Sequence, residues 1–532
     1  MRTKFQRHSF SRLAPLAAAI ALSCSGARAA TTIAPGSVDS TDHALRADGT
    51  PLRTALAAWH RDAIASVVPP SPNALRRVVV SCEDDGPGSL RAAAAEAASG
   101  DTIDLGALRC SGISLETGAI AIGVDTLTIE GNATGTIIDG AGLDRVFVHY
   151  GGGTFTLRNV AVRNGQVHAT GTHVGIGGCI ASAGYLTLDH SRVSECYAAG
   201  EGGYGGAVYA YSLLMTHSTL ADNLAYGTHP TNGTAAFGGA AFTYQIDLVA
   251  STITGNAARH RADPPRSSYD TGGGISVVHG GLVVDSTIDS NVAGTVGGGI
   301  TTFGSLEIRN STISGNRAET AIAGGLFVRS PAALTIGNST VTGNRSHETG
   351  GIVFNANATF ESTIVAANVA DVGVGVDLGS TRTLTIAGAN NLLDSVGATI
   401  AIPSDTRRDD PGLLPLSNNG GPTRTHALRD DSAAIDTGNN VANLPWDQRG
   451  EGYARVIGGA ADIGAFELDP SANLAGPLPV PALSSWSAAL AATIVAWLGA
   501  LALRQRRRDA PAVSRVARAQ RVSPGRRRER TC

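Results

Sequence analysis

Ser286-Thr287-Ile288-Asp289-Ser290-Asn291, Ser311-Thr312-Ile313-Ser314-Gly315-Asn316 and Ser339-Thr340-Val341-Thr342-Gly343-Asn344 are three copies of one six-residue phrase. Further copies start at Ser218, Ser251 and Ser362. Asn stands five residues after the Ser in five of the six copies (Asn223, Asn256, Asn291, Asn316, Asn344) and six after it in the last (Asn368). Asn159 to Asn164 is a looser copy, and Ser191 to Cys196 a cysteine version. Successive starts are separated by 32, 27, 33, 35, 25, 28 and 23 residues. Gly-Gly or Gly-Gly-Gly precedes each unit, followed by Ile180, Ala207, Ala240, Ile275, Ile300, Leu326 or Ile352. A period of this length carrying only short apolar runs is the mark of a solenoid.

The runs are strands. Leu282-Val283-Val284 and Leu306-Glu307-Ile308 are rich in the β-branched and apolar types that fit a half-buried pleat. Glycine at this density, 67 of 532 residues, costs a helix about 1 kcal/mol at each occurrence. The expected fold class is all-β, a right-handed parallel β-helix with an N-terminal capping helix and a C-terminal membrane-spanning helix. Each turn climbs one strand spacing, about 4.8 Å, so about 12 coils give a rod of about 55–60 Å. Equivalent residues then stack. Asn164, Asn223, Asn256, Asn291, Asn316, Asn344 and Asn368 are expected to form a ladder of side-chain amides, which makes them structural before they are functional.

Charge is uneven along the chain. Residues 1–29 carry five basic groups and residues 504–532 eleven Arg and two acids, leaving a balance of −17 between these ends. An acidic centre excludes nucleic acid as its partner and suits cations or neutral glycans. The four internal cysteines have no metal-type CxxC spacing. Cys82–Cys110 and Cys179–Cys196 are the expected disulfides of an exported chain.

The ends read as addresses. Residues 1–29 are a secretory signal, with a basic head, an apolar run from Leu13 to Leu22 and Ala27-Arg28-Ala29 for cleavage. Residues 30–77 read as a poorly ordered leader, with a short helix around 54–67, and 78–468 as the β-helix. Residues 469–487 form a linker with a sorting motif. Residues 488–503 are sixteen residues without a charge, read as a transmembrane segment, and 504–532 are an Arg-rich cytoplasmic tail.

Three stretches resemble known families. Val480-Pro481-Ala482-Leu483-Ser484-Ser485-Trp486-Ser487, the apolar segment and then Arg506-Arg507-Arg508 resemble the IPTL-CTERM sorting signal of Gram-negative envelope proteins. That resemblance implies a processing enzyme that reads Pro481, Trp486 and the arginines. Asp410-Pro411-Gly412-Leu413, Asn419-Gly420-Gly421-Pro422-Thr423, Ser432-Ala433-Ala434-Ile435-Asp436, Asp447-Gln448-Arg449-Gly450 and Asp462-Ile463-Gly464-Ala465-Phe466-Glu467 resemble the choice-of-anchor Q domain, over 403–467. The resemblance implies a β-helix region of an anchored surface protein. Gly88-Ser89-Leu90-Arg91-Ala92, read with a helix to Ser99, resembles the leading segment of such proteins and is expected to cap the first coil.

No catalytic set is legible. The residues one past each post-glycine apolar position (Val208, Ala241, Ser276, Thr301, Phe327, Val353) include no carboxylate and no base. The residues before each Ser (His190, His217, Ala250, Asp285, Asn310, Asn338, Glu361) are expected to face solvent, with acids three coils apart, too far for a carboxylate pair. Glu195 and Asp222 share a column, and His190 can stack on His217. No metal and no cofactor is expected. The length variation between each ladder position and the next glycines marks a binding corner instead. It gathers His168, His173, Tyr197, Glu201, Tyr204, Tyr226, His229, Arg259, His260, Arg261, Asp263, Arg266, Tyr269 and Asp270, types suited to sugar stacking and hydroxyl hydrogen bonds. The expected function is an exported, envelope-anchored surface protein that adheres to a cell surface or binds an extracellular glycan without turnover. The alternative is a polysaccharide lyase or glycoside hydrolase.

Overall fold

A computed structural model describes residues 74–170, 173–228, 235–260, 270–372 and 376–471. The signal, most of the leader, the linker beyond 471, the 488–503 segment, the tail and Pro481, Trp486, Arg506, Arg507 and Arg508 lie outside these residues. Among the described residues no helix is long and apolar enough to cross a membrane.

The chain winds into an all-β parallel solenoid of the right-handed type, about 11 turns long. An 11-stranded sheet contributes one strand per turn and an 8-stranded sheet lines the third side. The largest sheet has 20 strands, because most turns cross it in two pieces (Ile180–Ser182 and Tyr185–Asp189) while Val208–Thr216, Ala241–Val249 and Ile275–Val284 cross in one. We call these the second, third and first sheets respectively. A short fourth sheet of 3 strands, among them Gly203–Tyr204, lies in the wider turns.

Alternation builds the core. Tyr185–Asp189 and Ser305–Arg309 place every second residue inside. Leu186, Leu213, Ile246, Gly281, Leu306 and Leu334 therefore stand in single file, sharing one core with the second-sheet file Val193, Leu220, Ile253, Ile288, Ile313 and Val341. The third sheet contributes small residues (Ala198, Ala225, Ala258, Ala293, Ala318), so the turn can close tightly on that side.

Two left-handed residues per turn bend the chain around the second-sheet strand. One file is His190, His217, Ala250, Asp285, Asn310, Asn338 and Ser362, and the other is Asn164, Glu195, Asp222, Gly255, Ser290, Gly315, Gly343 and Ala367. A non-glycine residue pays about 1–2 kcal/mol for that backbone. Asn, Asp and Gly pay least.

Register corrects several expectations. The amide ladder runs Asn223, Asn256, Asn291, Asn316, Asn344, Asn368, each donating its backbone N–H and Nδ2 to the Oδ1 of the next at 2.8–3.0 Å. Asp377 ends it by accepting from both donors of Asn368. Asn164 is not a rung. It is left-handed and donates to Asp139, while Gly165 takes the ladder position and its N–H donates to Cys179 Sγ. The Cys179–Cys196 disulfide thus begins the ladder, and the Cys196 N–H donates to Asn223 Oδ1. Cys82–Cys110 forms as well.

The last triplet is offset by one. Ile364 pairs with Thr340, so Thr363, not Ser362, is the counterpart of Ser339. This restores the five-residue step to Asn368. Likewise Ala207 and Ala240 align with Cys179, and Val208 and Ala241 are the true partners of Ile180.

The triplet serines form a second ladder. The Oγ of Ser218 donates to the Thr216 carbonyl at 2.8 Å and accepts the Ser191 N–H at 3.0 Å, and the pattern repeats through Ser251, Ser286, Ser311 and Ser339.

The ends also differ from expectation. Arg76–Val78 already pairs with Thr102–Asp104, so the final residues of the leader belong to the solenoid. The helix is Leu90–Ala95, shorter than the reading to Ser99. Ser89 caps it by accepting the Ala92 N–H, and Leu90 and Ala94 are buried. Residues 408–468 add no coil. They contribute only isolated antiparallel bridges (Leu413 with Leu428, Ser417 with Thr425, Trp446 with Ala454), and lie as a strap over the outer face of the second sheet. Thr287, Thr312 and Thr340 are buried beneath it, whereas Thr219 and Thr252 on earlier turns are half-buried.

The five motifs that resemble the choice-of-anchor Q domain therefore act as strap residues. Gln448 accepts from Thr312 Oγ1 at 2.6 Å and donates to Thr287 Oγ1 at 2.9 Å. Arg449 pairs with Asp447 and Arg455 with Glu467, all buried. At Gly464 (φ 104°) a Cβ would fall 2.8 Å from Ile364 Cδ1 and Thr340 Oγ1, so only glycine lets the strap sit this close. Phe466, Ile463, Ala434 and Leu428 supply its apolar seat against Ile364 and Leu392.

Candidate functional site

The catalytic column can be read in its true register: Val148, Ala181, Tyr209, Phe242, Ser276, Thr301, Phe327, Val353. It holds no carboxylate and no base. The column before the triplets does not face solvent throughout. Asn310 and Asn338 are 1% and 2% exposed, and with Asp285 they lie against the strap. Burial pushes the Asp285 carboxyl up to about 7, with Asn310 Nδ2 donating to it at 2.6 Å. Glu195 and Asp222 share the second left-handed file as expected, and Asp222 reaches Arg192 at 3.7 Å. His190 and His217 do stack, with ring centroids 4.7 Å apart.

The loop corner divides in two. His168, Tyr197, Tyr226 and Arg259 come together on the outer face of the third sheet. The His168 and Tyr197 rings meet edge to face at 5.1 Å, Tyr197 and Tyr226 lie 6.3 Å apart, and Tyr226 pairs with Arg259 in register. Arg259 is held by Glu319 at 3.1 Å. His173 is exposed and Glu201 half-buried, joined by the Glu201 N–H to the His173 carbonyl.

Tyr204 and Asp270 do not face outward. Tyr204 is 4% exposed, stacked on Phe237 at 5.0 Å within a satellite core of Ile176, Tyr209 and Phe242. Asp270 is fully buried, accepting the Ala236 N–H and pairing with His260. Burial pushes the Asp270 carboxyl up, and the hydrogen bond to it raises His260. His229, Arg261, Asp263, Arg266 and Tyr269 lie outside the described residues.

A second set was not anticipated. Tyr185, Tyr211, Tyr244 and His279 form a file across four successive turns on the outer face of the first sheet, with centroids 5.8, 5.4 and 5.2 Å apart. Tyr185 and Tyr211 are 49% and 46% exposed, and His279 is exposed. Exposed Gln245 stands beside the file, and half-buried Ser212 pairs directly with Tyr185. Its signal was in the sequence: Tyr211, Tyr244 and His279 each stand seven residues before a triplet serine. Among the described residues no three His, Cys, Asp or Glu side chains gather as a metal centre.

No family model and no curated protein matches this chain. Among solved structures, pectate lyase Pel9A is similar, with a TM-score of 0.42 and 13% identity over 74% of this chain and 96% of that one.

Proposed function

We propose that the protein is an exported, envelope-anchored β-helix that displays its outer faces to an extracellular glycan or a cell surface and binds without turnover. The observation that carries this reading is the pair of aromatic groups on neighbouring turns, Tyr185-Tyr211-Tyr244-His279 on the first sheet and His168-Tyr197-Tyr226 on the third. Open tyrosine edges and hydroxyls beside amides and serines suit sugar rings and their hydroxyls. The basic head with its apolar run, the sixteen-residue uncharged segment before the Arg cluster and two disulfides in an oxidising compartment support export and anchoring. The lyase or hydrolase alternative is less favoured because the file Ala181-Tyr209-Phe242-Ser276 holds no carboxylate and no base, and in the charged first-sheet column the carboxylates of Asp104, Glu130 and Asp189 are already paired with Arg76 or Arg158.

A glycan array probed with the full chain tests the proposal. We expect retention of a defined set of glycans, lost on Tyr211→Ala with Tyr244→Ala or on Tyr197→Ala with Tyr226→Ala. Retention unchanged in all four substitutions together would sink the binding reading. New reducing ends or unsaturated-uronate absorbance on incubation with polyuronates and neutral glycans would overturn the non-catalytic one.

A further inference from the structure

His190 and His217 occupy the same left-handed position in successive turns (φ 47° and 48°), at the corner between the first and second sheets. Both are exposed, and their rings lie within 11° of parallel. The next residue of the file is Ala250, so the winding of the coil does not require an imidazole at this corner.

Asp189 sets the His190 ring. Its Oδ1 meets His190 Nδ1 at 2.7 Å and accepts from Thr216 Oγ1 at 2.9 Å, while Arg158 Nε donates to Oδ2 at 2.9 Å. The contacts from Arg158 and Thr216 fix the carboxylate in place behind the ring. His190 Nδ1–H donates to this carboxylate, which leaves the ring lone pair on Nε2. A carboxylate behind the distal nitrogen is how metal-binding histidines are fixed in tautomer and orientation.

We propose that His190 and His217 form a surface site for a transition-metal dication of the Zn2+, Ni2+ and Cu2+ class, each giving one ring nitrogen, with water filling the remaining positions. Imidazole selects these ions over Mg2+ and Ca2+. His217 needs only one of its two ring nitrogens for this. Metal–nitrogen bonds are about 2.0–2.1 Å, so the two rings must tip toward each other from their parallel stack. His190, with 58% of its side chain exposed, has room to do so. The acidic rod raises the local concentration of dications. The site is separate from the aromatic groups proposed for glycan, so either proposal can fail alone.

Isothermal titration of the full chain with ZnCl2 and NiCl2 at pH 7.5 tests the site. We expect one ion per chain that is lost in His190→Ala and in His217→Ala, a roughly 10–100-fold weakening in Asp189→Asn, and no matching heat with CaCl2. Unchanged far-ultraviolet dichroism and thermal midpoints identify folded variants. Absence of binding by the wild type, or an isotherm unchanged in the His190→Ala, His217→Ala double variant, would overturn the proposal.

Discussion

Asn291 gives its backbone N–H and Nδ2 to Asn316 Oδ1 at 3.0 and 2.9 Å, and Nδ2 also reaches the Ile253 carbonyl at 2.9 Å. Its own Oδ1 takes both donors of Asn256. It is fully buried, so no water can replace these partners. Asn291→Ala should lower stability by about 2–4 kcal/mol, because two donors of Asn256 lose their acceptor in a dry interior. Denaturant unfolding of both chains checks this, and a change within about 0.5 kcal/mol would contradict the ladder's energetic role. Asp377 shows the rule from the other side. It accepts from Asn368 and from the Ser395 N–H, and a carboxylate suffices there because the last rung has no further rung to donate to.

The strap is the element whose position matters most. Its contacts are polar as much as apolar: Arg424 pairs with Asp289 at 2.6 Å, Asn338 donates to the Asn439 carbonyl, and the Gly464 N–H donates to the Ser362 carbonyl. Gln448 stands at the centre, with its amide satisfying the hydroxyls of Thr287, Thr312 and Thr423. Gln448→Ala leaves those buried hydroxyls with fewer partners and should weaken strap docking by about 2–3 kcal/mol. The expected readout is faster limited proteolysis within 408–468 while a core from 74 to about 400 survives. Equal cleavage rates in both chains, or simultaneous loss of strap and core, would refute an independently docked strap.

At the scale of the molecule, acids pushed up by burial oppose acids held down by hydrogen bonds and arginine partners. The folded pKa of Asp285, about 7, lies above the unfolded value of about 4. The folded chain therefore holds that proton where the unfolded chain has lost it. Stability from this group is full below about pH 4, falls as pH rises toward 7, and is then flat. Asp84, Asp101, Asp139 and Asp189 are shifted the opposite way, so they lose stability as pH falls below their ordinary range. We expect Asp285→Asn to raise the thermal midpoint at pH 8 by more than at pH 5, which parallel melts at the two values will show. The same gain at both would remove burial of the charge as the cause.

The sequence by itself determined the winding, because the contacts that build a solenoid join like residues one turn apart. Ser218 meets Ser251 and Asn223 meets Asn256, so each contact prints its own repeat into the chain, and both disulfides followed from the even set of internal cysteines. The Tyr211-Tyr244-His279 file was legible too, through its fixed step to the triplet, but Tyr204 and Tyr197 look alike in sequence and only packing sends one inward and leaves the other half-buried. Tertiary structure alone decided the strap, whose Gln448 lies 136 residues from the Thr312 it covers. A contact made once, between unlike partners that far apart, leaves no period to read. Asp189 behind His190 sits between these cases. The two are chain neighbours, yet only the turn-by-turn stack that brings Arg158 and Thr216 to the carboxylate turns adjacency into an oriented ring.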